Sequence, residues 1–182
     1  MNFIPTDIPD IFMIEPQVHS DERGFFMETY QVQRFAKAGI PHNFVQDNHS
    51  GSHQGILRGL HYQIMQPQGK LVRVVRGEVF DVAVDLRRSS PTFGKWEGIL
   101  LSADNHRQLW IPEGFAHGYY VLSEWADLIY KVTDNYAPEW ERTILWNDPQ
   151  LNIHWPLIAG QEPQLSAKDA GAVLLQDADL FD

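Results

Sequence analysis

The sequence predicts an all-β protein, an antiparallel β-barrel with a few short peripheral helices. Three observations point there. Apolar residues alternate from Glu78 to Leu86, with Phe80, Val82, Val84 and Leu86 on one face of a strand. Turn-forming clusters recur at short intervals: Ser89-Ser90-Pro91, Ala103-Asp104-Asn105, Pro112-Glu113-Gly114 and Ser123-Glu124. Helical periodicity is sparse, and many short strands at regular spacing favour a barrel or sandwich.

In chain order, residues 31–38 fit a short helix, stopped by Gly39 with Pro41 beyond it. Residues 71–75 read as a strand, and Arg76-Gly77-Glu78 as a hairpin turn joining it to the strand at 78–86. Further strands are expected at 98–101, 107–111, 118–122 and 128–132. Ser166-Ala167-Lys168-Asp169 resembles a capping box opening one more helical turn. The barrel is expected in the middle of the chain, with both ends folded around it.

The length of 182 residues suits a single domain over 1–182. Hydrophobic residues at 43% and charged residues at 21% are ordinary for a globular protein. With no cysteine, disulfides and thiolate metal sites are excluded. Net charge is 14 − 24 = −10. That balance argues against nucleic acid or an anionic membrane as partner, though not against one small anion held by a local cation cluster. Residues 1–7 lack the basic region and apolar run of a secretory leader, and no apolar stretch is long enough to span a bilayer, so a cytoplasmic protein is expected.

The densest polar segment runs from Gln46 to Lys70. If 58–63 is one strand, Leu57, Gly59, His61 and Gln63 share one face, and Arg58, Leu60 and Tyr62 the other. His61 then either points into a cavity or makes a structural hydrogen bond. His117, in Pro112-Glu113-Gly114-Phe115-Ala116-His117-Gly118, is a second imidazole, and two histidines on neighbouring strands are raw material for a metal site. Gln63 argues against one, because an amide stands where a carboxylate or second imidazole is wanted. No metal and no cofactor are expected. Tyr130 on its own reads as strand packing. Tyr136 and Trp140 flank a loop where an aromatic ring can stack on a flat ligand. Arg23 and Glu28 bracket Gly24-Phe25-Phe26 and read as exposed charges.

The segments Asp21-Glu22-Arg23-Gly24-Phe25-Phe26, Phe44-Val45-Gln46-Asp47-Asn48-His49-Ser50, Gly55-Ile56-Leu57-Arg58-Gly59-Leu60-His61-Tyr62-Gln63, Gly69-Lys70-Leu71-Val72-Arg73, Ile111 to Gly118, Tyr130-Lys131-Val132, Tyr136-Ala137-Pro138 and Trp146-Asn147-Asp148-Pro149 keep an order and spacing. Together they resemble the dTDP-4-dehydrorhamnose 3,5-epimerase family of the cupin superfamily. The resemblance implies a cupin-type jelly roll and inversion of carbons 3 and 5 of dTDP-4-dehydro-6-deoxy-D-glucose, giving dTDP-4-dehydro-L-rhamnose without a metal. Both carbons are α to a ketone, so the chemistry needs a base, an oxyanion stabiliser and an acid on the opposite face. By resemblance His61 is the base, Asp169 its partner that favours the protonated imidazole, Lys70 the oxyanion contact and Tyr130 the acid. The nucleotide would be held by Arg23, Glu28, Gln46, Asp47, Asn48, Arg58, Lys70, His117, Glu141 and Lys168, with Tyr136 stacking on the base. The family is homodimeric, and its site is shared across the interface. Tyr119-Tyr120 and Trp140 depart from its usual pattern. Three alternatives stay open: an epimerase that inverts one centre of a related keto-sugar, a metal-dependent cupin enzyme, and a non-catalytic nucleotide-sugar binder.

Overall fold

Turn residues cut the chain into short segments, and each segment finds an antiparallel partner. The computed structural model describes residues 1–41 and 43–182. Its strands are β1 (Asn2–Pro5), β2 (Phe12–Glu15), β3 (Val18–Asp21), β4 (Gly24–Met27), β5 (Gln46–His53), β6 (Leu57–Gln63) and β7 (Lys70–Arg76). They continue with β8 (Glu78–Asp85), β9 (Trp96–Ser102), β10 (Gln108–Ile111), β11 (Phe115–Val121), β12 (Trp125–Val132) and β13 (Glu141–Thr143). The helices are α1 (Val32–Lys37) and α2 (Ala167–Ala170). A six-stranded sheet in the order β1-β2-β10-β7-β12-β5 faces a five-stranded sheet in the order β13-β6-β11-β8-β9. This is the expected antiparallel barrel of jelly-roll type. Among the described residues, strands β3 and β4 pair only with each other and form a separate arm.

The space between the sheets is filled from both sides. Val72, Val74, Leu109 and Leu128 enter from the six-stranded sheet, and Val79, Ala83, Phe115 and Val121 from the other. Each valine, leucine or phenylalanine among them contributes about 1.5–3 kcal/mol on full burial. The alternation in 78–86 is real, and its apolar face points away from the barrel interior. Phe80, Val82, Val84 and Leu86 pack outside the barrel, against Leu151, Ile153, Trp155 and Leu175 of the C-terminal region. On the far side, Phe35 of α1 covers Ile14, Leu71 and Trp110. The chain ends do wrap the barrel, and both sheets are therefore buried on two faces.

Two local expectations change. Residues 76–78 form no hairpin: β7 pairs with β10 and β12, whereas β8 pairs with β11 and β9. Gly77 is the corner where the chain changes sheet. Its φ is +75°, and a Cβ there would lie 2.0 Å from the Trp125 carbonyl oxygen, so only glycine fits. The strict alternation of β6 also fails, because its register with β11 shifts between the pairs His117–His61 and Tyr119–Arg58. Leu57, Leu60 and Tyr62 consequently share the outer core, while His61 turns inward. The shift falls at Gly59, whose φ is +130° and whose Cβ would come within 2.5 Å of Gly118 Cα. No helix among the described residues is long and apolar enough to cross a membrane.

Candidate active site

A cavity of about 330 Å³ opens between the sheets. Gln46, Asn48, Ser50, Lys70 and Tyr130 line it from the six-stranded sheet, and Arg58, His61, Gln63, His117, Tyr119 and Glu141 from the five-stranded one. The two-residue repeat of β5 explains its share. Gln46, Asn48 and Ser50 face in, so Asp47 faces out, where Lys131 binds its carboxylate at 2.9 Å. Asp47 therefore does not join the cavity expected to include it.

His61 sits at the centre of one wall. Its Nε2 lies 2.5 Å from Oδ1 of Asp169, which is buried behind it on α2. The Ser166 hydroxyl accepts the Asp169 N–H at 3.1 Å, so half the expected capping box forms. The other half does not, because the carboxylate is turned to His61. Burial pushes the His61 imidazole below its usual 6.5, and the hydrogen bond and charge of Asp169 offset this only in part. The expected bias toward the protonated ring is overridden, and the group is held neutral at pH 7. Burial also presses the Asp169 carboxyl upward, but hydrogen bonds from His61 and Ser166 reverse it and keep it ionised.

Lys70 is buried, and its ammonium donates to the His61 carbonyl oxygen at 3.2 Å across the gap between sheets. Desolvation brings its pKa down to about 8, against the attraction of Asp81 and Glu141. Tyr130 stands on the wall opposite His61. Burial, then the neighbouring Tyr119, raise its phenol above the usual 10, so it stays protonated at neutral pH.

His117 donates from Nε2 to both oxygens of Asp81, at 2.9 and 3.0 Å. Asp81 was not singled out from the sequence. The available signal was a carboxylate inside the apolar run 78–86, which needs a partner when buried. Gln63 donates to the carbonyls of Gln66 and Asn135 and accepts from the Ala137 N–H, tying the loops beneath the cavity. Among the described residues, no group of three or more His, Asp or Glu side chains is arranged to hold a metal.

The cavity mouth is a polar chain. Gln46 accepts from the Tyr136 N–H at 3.1 Å, the Tyr136 hydroxyl donates to Glu141 at 3.1 Å, and Glu141 pairs with Lys168 at 2.9 Å. The Tyr136 ring is half exposed at this rim, open to a flat ligand. Trp140, also part exposed, follows on the same loop. Arg58 is held by Ser52 at 3.0 Å. Arg23 and Glu28 are elsewhere. Arg23 is on the turn of the β3–β4 arm, paired with Asp21, and Glu28 beyond it pairs with Arg34 at 3.3 Å.

The comparisons agree with one another. A family model described as dTDP-4-dehydrorhamnose 3,5-epimerase matches residues 5–177. An enzyme of that description from Pseudomonas aeruginosa is 61% identical over 175 residues, 96% of each chain. One from Shigella flexneri is 58% identical, over 100% of this chain and 99% of the relative. The crystal structure of a dTDP-6-deoxy-D-glucose-3,5-epimerase from Legionella pneumophila, in complex with dTDP-4-keto-L-rhamnose, superposes with a TM-score of 0.95 at 58% identity, covering 98% of this chain and 94% of that one.

Proposed function

The chain belongs to the dTDP-4-dehydrorhamnose 3,5-epimerase family, and from that premise we propose how its cavity inverts carbons 3 and 5 of dTDP-4-dehydro-6-deoxy-D-glucose. The observation that carries the proposal is that the His61 imidazole and the Tyr130 phenol face one cavity from opposite sheets. Inversion requires a proton to leave one side of the ring and return to the other.

His61 is the base. Asp169 accepts a hydrogen bond from the Nε2–H, which leaves the lone pair on Nδ1 to remove the proton next to the ketone. The electron pair moves onto the ketone oxygen. Lys70, charged and already desolvated, stabilises that oxygen without solvent having to rearrange, an effect typically worth roughly 10²–10³ in rate. Tyr130 then gives its hydrogen to the carbon from the opposite side. No metal enters this sequence, and no cofactor is needed.

Arg58 suits the diphosphate because its planar fork donates two parallel hydrogen bonds. Gln46, Asn48, His117, Glu141 and Lys168 would flank the same path, and Tyr136, half exposed at the rim, would stack on the thymine. Arg23 and Glu28 fit this scheme only if they come from a second subunit. We propose a homodimer in which each β3–β4 arm reaches the partner's cavity. The arm supports this: among the described residues it pairs with no other strand, and Phe25 and Phe26 on β4 are 60% and 72% exposed. A cytoplasmic location follows from the charged nucleotide substrate, which does not cross membranes unaided.

Proton NMR in deuterium oxide tests the double inversion. The proposal expects label at both carbons of the product. Label at one carbon would favour the single-centre epimerase.

A further inference from the structure

Arg58 of β6 and Tyr119 of β11 are register partners, and both side chains line the cavity and reach across it to the same stretch of β5. Arg58 donates from Nε to the Ser52 hydroxyl at 3.0 Å, and its Nη2 lies 3.5 Å from the Gly51 carbonyl oxygen. The Tyr119 hydroxyl lies 2.9 Å from that of Ser50. Positions two apart on a strand share a face and stand about 6.6 Å apart. A guanidinium and a phenol are thereby brought side by side, close enough for one diphosphate to touch both.

Both partners of Arg58 are neutral oxygens, so its charge is left for an anion. Tyr119 is only 5% exposed, and its ring belongs to the buried cluster between the sheets. Phenylalanine would fill the same volume, so packing accounts for the ring and leaves the hydroxyl unexplained. The two hydroxyls carry one hydrogen each, and the bond between them uses one, whichever residue donates. The other is left in the cavity, where a donor with so little access to solvent wants an acceptor. A phenol donates more strongly than an aliphatic alcohol. With Ser50 donating to the phenol oxygen, the phenol hydrogen is therefore directed to an oxyanion, the acceptor that makes the strongest bond.

We propose that the Tyr119 hydroxyl is a further ligand for the nucleotide diphosphate, beside Arg58, with Ser50 orienting it. The inference deepens the proposed function and rests on Arg58 holding the diphosphate. The diphosphate does not react, so the contact is equally strong in substrate and transition state: it adds affinity and leaves inversion unchanged. Position 119 is one where the chain departs from the family's usual pattern, and an added affinity contact can differ among relatives that share one chemistry.

The test is calorimetric titration of the full chain with dTDP and with thymidine, in the wild type, Tyr119→Phe, Ser50→Ala and Arg58→Met. Tyr119→Phe keeps the ring. It should weaken dTDP binding about tenfold, the order of one hydrogen bond to a charged group, and leave thymidine binding unchanged. With the keto-sugar nucleotide, KM should rise by a similar factor at wild-type kcat. Ser50→Ala breaks the same bond between the sheets but keeps the phenol, so its loss should be the smaller. Wild-type dTDP affinity in Tyr119→Phe, beside a large loss in Arg58→Met, would overturn the inference and leave the diphosphate at Arg58. Equal losses for dTDP and thymidine, or a loss in Ser50→Ala as large as in Tyr119→Phe, would overturn it in favour of packing. Wild-type dTDP affinity in Arg58→Met would take the diphosphate away from Arg58, and the inference would fall with that reading.

Discussion

The His61 imidazole and the Asp169 carboxylate meet at 2.5 Å although 108 positions separate them in the chain. The contact depends on α2, a single turn whose Ser166 cap holds the Asp169 backbone N–H and lets the carboxylate turn to His61. A base whose useful nitrogen is fixed by a remote carboxylate depends on that carboxylate for orientation.

Asp169→Asn should lower kcat by about 10²-fold or more while changing KM little, because an amide can present its NH₂ to the ring and favour the wrong tautomer. His61→Ala should abolish turnover and leave dTDP binding within a few-fold of wild type. Steady-state kinetics and calorimetric titration with dTDP check both.

The pH dependence of kcat/KM follows from two displaced groups. His61 works neutral and its pKa is lowered, so activity should fall with decreasing pH only below 6.5. Lys70 works charged with a pKa of about 8, so activity should fall as pH rises through that value. Lys70→Arg should remove the alkaline limb near 8, since a guanidinium stays charged, whatever its effect on the maximum rate.

Mixing subunits tests the shared site. Arg23→Ala alone should raise KM, and His61→Ala alone should be inactive. If the arm serves the partner's cavity, hybrid dimers contain one site with both defects and one with neither. Low-KM turnover should then reappear on mixing. If each arm served its own subunit, mixing would restore nothing.

Stability has its own acid-sensitive point at Asp85. The side chain is fully buried, which alone would raise its pKa, yet Arg87, Ser90 and Thr92 hydrogen-bond the carboxylate and bring it down to about 2. A depressed carboxyl stabilises the fold above its unfolded value near ~3.9 and ceases to do so as pH falls through about 2. Urea unfolding should lose about 2 kcal/mol across that window. Asp85→Asn should be destabilised by about 2–4 kcal/mol at pH 7.

Exhaustive chelation should leave turnover unchanged, with no stoichiometric metal by elemental analysis. Lost activity restored by one divalent cation would revive the metal-dependent reading.

The strands most legible in the sequence were the apolar ones. The expected strands at 71–75, 98–101 and 128–132 each fall inside an observed strand. The alternation at 78–86 was legible too, but not which face was inside, because this sheet is covered on both sides and both faces carry apolar residues. The strand β5 carries polar residues on both faces and shows no apolar alternation in the sequence, which groups Asp47 with Gln46 and Asn48. Period two separates them. The hairpin at Gly77 failed because a glycine that permits a tight turn also permits a corner between sheets. The His61–Asp169 contact came from family resemblance, since nothing local links residues so far apart. Asp81 was missed because its role appears only once β8 lies beside β11.

Inversion by this chemistry requires the base and the acid to work from opposite faces. Incubating Tyr130→Phe with the keto-sugar nucleotide in deuterium oxide separates proton removal from inversion. Deuterium should enter next to the ketone through His61, with configuration retained and no inverted product. Inverted product at near wild-type rate, or equal deuterium uptake when His61 is replaced by Ala, would contradict it.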